Sequence, residues 1–519
     1  MGGNFLLKSG KFLLILSSYV LLGTLVLHPA LKIGFLGDFA GDILNCKENW
    51  FNFAAYQWNF YVPAMAIYYG LYKTFHLFPL PYHVFHLSLI FINAWLVYIL
   101  AQELKFESWQ CWIAGLLALF NSAAFETYFW LSTIPKVLAT SFGLMALIFL
   151  SRFRQRRALV WGWGYVVMVT LGLTMESTGL ILPLLGLLLD LYYRPWRVSG
   201  KEKTSIFSGL RLHLWTFGIA GIFLLIRHFL GIKPYAESFS MIWKCLTFIR
   251  SVFSTFFHGL ENHFWFESTG IAFISIILTL LLSVILILAL KNKQGPDRRR
   301  YITLLLLWGG ACLPHTIGAH YDSRYLYFPA VFCALVLADV LGSFKLRLYA
   351  RDCTWLLVLV VISGYFYLDF SAFHQTLNSY LDASRIYDAG IRKIKTHIPE
   401  MHSGSRLVLI DFPGYIYRPR QSSQGYQFRY RVLVYRCALP HHLLLFYKSN
   451  NFIVTFLRLS QIDSHNCDNP FPMGTLSTPE QLAALSASPQ TFTCRYIPGN
   501  PGDFVIVHDT LTHDSPIMK

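Results

Sequence analysis

The chain has 519 residues, 55% of them hydrophobic and 13% charged, with a mean hydropathy of +0.46. Soluble domains carry about 25% charged residues, so a water-soluble globule is excluded over most of the length. The 43 Lys and Arg against 27 Asp and Glu leave a formal charge of +16; these basic residues sit in short clusters between apolar runs, which points to a membrane topology and not to nucleic acid.

About 20 apolar residues cross a hydrocarbon core as a helix. The first such run is "KSGKFLLILSSYVLLGTLVLHPAL". No small-x-small cleavage site follows it, so it reads as a retained span over 11–31, with Lys8 and Lys11 in the cytoplasm. Residues 32–81 then form an outer loop whose only basic residues are Lys32, Lys47 and Lys73. Its "GDFAGD" stretch places Asp38 and Asp42 just beyond the first span; turn residues in a Gly-flanked bend are the plainer reading of that pair.

Further spans are predicted at 82–101, 110–121, 135–151, 158–175 and 177–193, the second of them short for a bilayer. Glu126 falls in the outer loop 121–134, which has no Lys or Arg, and Lys136 opens the next span at the outer face. Glu176 occupies the tight turn at 175–177 with apolar neighbours on both sides. The span 211–229 ends in Arg227 and His228, which could equally be a snorkelling boundary pair. The segment 241–260 carries Lys244 and Arg250 among apolar residues and reads as an interfacial helix.

Spans at 269–290, 301–318, 325–342 and 354–369 complete a set of eleven. Between the second and third of these lies "HTIGAHYDSRYLYFP", with His315, His320, Asp322 and Arg324 at the mouth of an apolar run. Asp322 can pair with Arg324 or cap a helix, and the aromatics of "YLYFP" are commonly interface anchors. The positive-inside rule tests the count. The clusters "RFRQRR", "RPWRVSGKEK", "KNKQGPDRRR" and "KLRLYAR" all fall on one side of the alternation. That side is the cytoplasm, and the candidate site residues all fall on the other. Ionisable groups beside spans are costly, so their common side is informative.

From residue 370 the composition changes. "TLNSYLDASRIYDAGIRKIKTHI" has helical periodicity, while "RLVLIDFPG", "YRVLVYRCAL", "NFIVTFLRLS" and "GDFVIVHD" read as strands between turn residues. The expected fold is therefore a polytopic α-helical membrane protein of about eleven spans over 1–369, with a small mixed α/β extracytoplasmic domain over 370–519. The nine cysteines show no metal spacing. Cys437, Cys467 and Cys494 in the tail, and Cys46 in the first loop, could form disulfides in an oxidising compartment.

Four stretches carry a family resemblance. They are "NFYVPAMAIYYGLYKTFHLFPLPYHVFHLSLIFINAWLVYILAQEL" (59–104), "ALFNSAAFETYFWLSTIPKVLATSFGLMALI" (118–148), "MESTGLILPLLGLLLDLYY" (175–193) and "YDSRYLYFPAVFCALVLA" (321–338). Together they resemble the polytopic GT-C glycosyltransferases, most closely the membrane half of TMTC-type mannosyltransferases and their bacterial relatives. Two departures stand out: Asp322-Ser-Arg324 replaces an adjacent acid-arginine pair, and Met175 replaces a basic residue. The resemblance implies a polyprenyl- or dolichyl-phosphate sugar as donor substrate, transferred on the non-cytoplasmic face to a glycan, lipid or protein hydroxyl. It implies a carboxylate base, Asp42 or Asp38, and cations for the leaving phosphate, Arg324 and Lys136 with His320 or Arg227. Glu126, Glu176, Asp322 and His315 are the expected substrate-positioning groups. The resemblance makes no cofactor certain; a divalent metal is compatible with it, since carboxylate pairs can bind one and some members of the family do, but nothing in the sequence indicates it. A transporter or flippase of lipid-linked sugars, or a non-catalytic membrane partner, would be the alternative. The expected compartment is a bacterial plasma membrane, or the endoplasmic reticulum in a eukaryote.

Overall fold

The computed structural model describes residues 2–36, 39–49, 62–193, 203–229, 293–318, 325–345, 354–401 and 404–410, scattered residues of 241–291, and the tail elements named below. Helices dominate. They are α1 (Gly2–Leu27), α2 (Phe39–Asn49), α3 (Val62–Phe75), α4 (Pro79–Glu103), α5 (Ser108–Leu119), α6 (Phe125–Phe129), α7 (Ile134–Arg156), α8 (Leu159–Met175), α9 (Leu182–Tyr193), α10 (Lys203–Phe229), α11 (Gly295–Gly318), α12 (Tyr327–Lys345), α13 (Thr354–His397) and α14 (Ala438–Tyr447). Among the described residues, four segments are long and apolar enough to cross a membrane: Leu13–Lys32, Pro79–Glu103, Leu131–Arg156 and Leu210–Phe229. Shorter apolar helices at Ser108–Leu119, Leu159–Met175, Ser177–Tyr193 and Tyr327–Gly342 accompany them. The chain is thus a helical protein of membrane type with a small sheet. Most of the expected span 269–290 lies outside the described residues; those described within it are helical.

The starts and stops follow local chemistry. Pro occupies the first turn of α4 and of α7, where its missing N–H costs no hydrogen bond. Glu107 and Gln110 form a reciprocal capping box that starts α5. Helices α7 and α8 are an antiparallel pair, with α4 against α7 and α12 against α5 and α11. Asn93 ties three of these together: its amide donates to the Val137 carbonyl and to Tyr327 Oη, both at 3.0 Å, while its oxygen accepts from Ser141 at 2.6 Å. Between α8 and α9 the chain makes a 3-10 turn, Ser177–Ile181, pressed hard onto α8. A Cβ on Gly179 would lie 2.4 Å from the Gly172 carbonyl oxygen.

One end of the bundle is laced with ion pairs. Arg154 grips the fully buried Asp190 through two nitrogens, with His213 at 3.5 Å on the same carboxylate. Asp339, also fully buried, takes Lys293 at 2.6 Å on one oxygen and Arg300 at 2.7 and 2.9 Å on the other. Arg152 pairs with Glu103 at 2.8 Å. These contacts tie the end of α7 to those of α4 and α9 and the end of α12 to the start of α11, and Arg299 and Arg300 reach the Leu191 and Lys105 carbonyls, so two of the four basic clusters predicted on one side share one end of the structure.

The tail holds a five-stranded sheet ordered β6-β4-β1-β7-β8 and a three-stranded sheet ordered β3-β2-β5. The strands are β1 (Arg406–Ile410), β2 (Pro413–Arg420), β3 (Gln427–Leu433), β4 (Ile453–Arg458), β5 (Phe471–Pro472), β6 (Thr475–Leu476), β7 (Thr491–Tyr496) and β8 (Phe504–Asp509). β1 pairs parallel with β4 and β7, and β7 pairs antiparallel with β8. Cys494 is buried and free, whereas Cys437 and Cys467 lie outside the described residues. Helix α13 is the unexpected element. At 44 residues it runs unbroken through 369–370, and at about 1.5 Å per residue it is roughly 66 Å long, twice a hydrocarbon core.

Candidate functional site

At the end of the bundle opposite the ion pairs, a separate apolar cluster gathers segments from across the sequence. It comprises Phe35, Phe39 and Ile43 around the start of α2, Tyr68 of α3, Tyr82 of α4, Leu131, Ile134 and Leu138 around the start of α7, Met175 at the end of α8, and Leu445 of the tail helix α14. Its centre is aromatic. Phe35 and Phe39 stand edge-on to Tyr82 at 5.2 and 5.5 Å, and Phe39 meets Tyr68 at 5.2 Å. Edge-to-face rings of this kind fix geometry as well as burying area. Tyr68 donates to the Leu131 carbonyl at 3.1 Å, locking α3 to the segment before α7.

Three of the predicted site residues grow directly out of this platform. Asp42 sits in the first turn of α2, half-buried, immediately before the fully buried Ile43. Lys136 lies between Ile134 and Leu138 in the first turn of α7, and its ammonium stands 4.1 Å from the centre of the Tyr325 ring. Glu176 follows Met175. A lysine in a helix's first turn opposes the helix dipole; the ring face supplies compensation that the helix does not. Thr133, which caps α7, does not spend its hydroxyl on the helix: it donates to the Thr127 and Trp130 carbonyls. Lys136 and the start of α7 therefore form a positive corner without a side-chain cap.

Glu176 has a local task. Nearly fully buried, it accepts from Thr178 N at 2.7 Å, from Thr178 Oγ1 and from Ser177 Oγ at 3.1 Å, capping the 3-10 turn. Glu126 opens α6, half-buried, and accepts from Tyr380 Oη of α13 at 3.4 Å. Arg227 lies in the last turn of α10. It is 14 residues beyond His213, which marks the ion-pair end, so about 21 Å of helix carries it toward the platform end. His315 falls within α11 close to its end. Asp38, His320, Asp322 and Arg324 lie outside the described residues; Tyr325, the next residue after Arg324, is the one on Lys136.

The structure adds residues that the sequence reading passed over. Asp369, nearly fully buried, accepts from the backbone N of Ser122 at 2.9 Å and from its hydroxyl. Eleven residues on, Tyr380 reaches Glu126, and Ser384 accepts from Gly34 N at 2.7 Å. Helix α13 thereby holds both the segment bearing Glu126 and the loop leading to Asp42. Above them His442 of α14 shares a 3.0 Å hydrogen bond with Tyr387 and lies 6.1 Å from the Phe35 ring. Burial, with the Lys395 charge adding to it, pushes the His442 pKa down to about 3. Burial likewise raises the Asp388 carboxyl above its ordinary range. Asp369 carried a readable signal, an acid at the edge of an apolar run. Tyr380 and His442 carried none, because only tertiary packing gives them partners.

Among the described residues no group of three or more His, Cys, Asp or Glu is arranged to hold a metal ion. No protein-family model and no curated protein matches this chain.

Proposed function

We propose that the chain is a GT-C type membrane glycosyltransferase of eleven spans, with the ion-paired end in the cytoplasm and the aromatic platform at the non-cytoplasmic face. It moves a sugar from a polyprenyl- or dolichyl-phosphate to an acceptor hydroxyl of a glycan, lipid or protein. The observation that carries this reading is the common platform under Asp42 and Lys136, which brings a carboxylate and a cation from distant loops to one end of the bundle.

The chemistry follows from those two groups. Asp42 takes the proton of the acceptor hydroxyl as its oxygen bonds to the anomeric carbon. The bond from that carbon to the phosphate oxygen breaks, and the phosphate leaves with the electron pair. Negative charge then grows on the phosphate, where Lys136, the start of α7 and Arg324 stabilise it. One displacement inverts the anomeric centre, and no enzyme-bound intermediate is needed. Glu126, held by Tyr380, orients the acceptor.

The test compares glycans by mass spectrometry in cells carrying the wild-type chain, Asp42→Asn or Lys136→Gln, with purified protein assayed in vesicles against polyprenyl-phosphate sugars. Loss of a general base typically costs 10²–10⁴-fold, so Asp42→Asn is expected to abolish detectable product. Unchanged transfer in both variants would overturn the assignment. Translocation of the lipid-linked sugar that survives both, with no transfer by wild type, would identify a flippase.

A further inference from the structure

We propose that the α7–α8 corner is a binding site for the phosphodiester headgroup of an anionic bilayer phospholipid. Four arginines approach this corner, and they divide into two kinds. Arg152 and Arg154 are committed to the carboxylates of Glu103 and Asp190. Arg156 and Arg157 are exposed and pair with no carboxylate among the described residues.

The backbone makes this placement costly. Arg157 ends α7 in the left-handed region, φ 54° and ψ 19°, with its N–H on the Phe153 carbonyl at 2.8 Å. Glycine is the residue that ordinarily fills such a position without strain. An arginine there presents a second guanidinium beside Arg156 at the turn. Helix α8 begins two residues later, and Ala158 offers its first turn no side-chain cap. The positive end of that helix adds to the two cations.

The apolar half of the site is next to the charge. Trp161 carries Arg152 at 5.1 Å and Arg156 at 5.8 Å from its ring, which holds the Arg156 head at the level of the indole. Leu159 is 73% exposed, Val160 69%, Trp163 62% and Val167 48%. Positions 159, 160, 163 and 167 follow helical spacing, so they form one open stripe down α8 away from the arginines. A headgroup at Arg156 and Arg157 would lay its acyl chains along that stripe. A phosphodiester matches the guanidinium fork, and the tryptophans suit the level of the headgroups. The proposal rests on α7 and α8 spanning the membrane and is independent of the transferase reading.

Native mass spectrometry of the full-length chain released from detergent, titrated with phosphatidylglycerol or phosphatidylcholine of the same acyl chains, tests it. Wild type is expected to retain phosphatidylglycerol at least tenfold more tightly than phosphatidylcholine. Arg156→Gln with Arg157→Gln should lose most of that preference, while Arg298→Gln, an exposed arginine at the start of α11, should keep it. Both changed side chains are exposed, so folding is not at stake. Quenching of tryptophan fluorescence by brominated phosphatidylglycerol, lost in Trp161→Phe with Trp163→Phe, gives a second readout. Equal affinity for the two lipids, preference unchanged in the double arginine variant, or an equal loss in Arg298→Gln would each overturn the site.

Discussion

Replacing Asp339 by Asn should be among the most damaging single changes in the chain. The carboxylate is fully buried, and it is the counter-ion of two cations that are themselves only 8% exposed, Lys293 and Arg300. The amide keeps the shape and removes the charge, leaving two like charges close together with only the exposed Asp297 on Arg300 to offset them. Breaking a buried pair by removing one partner costs about 3–5 kcal/mol. Arg300 keeps a second carboxylate, the exposed Asp297 at 3.2 Å, while Lys293 loses its carboxylate partner, so the middle of that range, about 4 kcal/mol, applies. At about 1 °C per kcal/mol for a chain of this length, the unfolding midpoint should fall by on the order of 4 °C. The assay is size-exclusion recovery of the detergent-solubilised chain after heating. The pH response adds a signature. Burial already pulls the Lys293 ammonium below its ordinary 10.5, and Asp339 opposes that pull. With the carboxylate gone the lysine pKa falls further; the cost of the buried ammonium is complete below that lowered value and fades as pH rises from it to 10.5. The lesion should therefore ease as pH rises from 7 toward 10. Substituting all three residues by apolar ones of similar volume should regain most of the midpoint. An Asp339→Asn midpoint within about 1 °C of wild type would refute the reasoning.

Gly179→Ala should destabilise by about 1–3 kcal/mol, since its Cβ would meet backbone atoms of Gly172 and Leu173, which no rotamer change relieves; a thermal-recovery assay reads this directly. The His442 contact should be pH-sensitive. Its pKa is depressed from 6.5 to about 3 in the folded chain, so the stability it contributes is present above 6.5 and falls away as pH drops toward 3. Limited proteolysis around α14 should accelerate across that window, and His442→Leu should flatten this response.

Much of the membrane portion was legible because lipid imposes a simple rule: apolar runs of the right length must be helices. The runs at 82–101 and 135–151 became α4 and α7 almost as drawn, with Pro marking each start. The common end of Asp42 and Lys136 was legible too, through the asymmetry of the basic clusters. What the sequence hid is pairing. Asp190 and Asp339 stand in apolar runs as "LLLDLYY" and "LVLADVL", and nothing local tells which cation each will meet across the bundle. Glu176 looked like a group in want of a substrate, and its immediate neighbours Ser177 and Thr178 turned out to engage it. The reach of α13 was missed because the pattern changes from lipid-facing to amphipathic near Asp369. Backbone preference does not change there: no proline follows until Pro399, so the helix simply continues, burying Phe373, Leu377, Tyr380 and Tyr387.

That continuity bears on how the molecule may be dissected. Cutting the chain at the composition change would sever a mast whose two halves do one job. Asp369 clasps Ser122 on one side of the cut, and Tyr380 and Ser384 clasp Glu126 and Gly34 on the other. A fragment starting at 370 would carry away the rigging that steadies the segment bearing Glu126 and the loop leading to Asp42, and the truncated membrane half would lose it. The natural seam lies beyond His397, where the helix ends and the first strand has yet to begin.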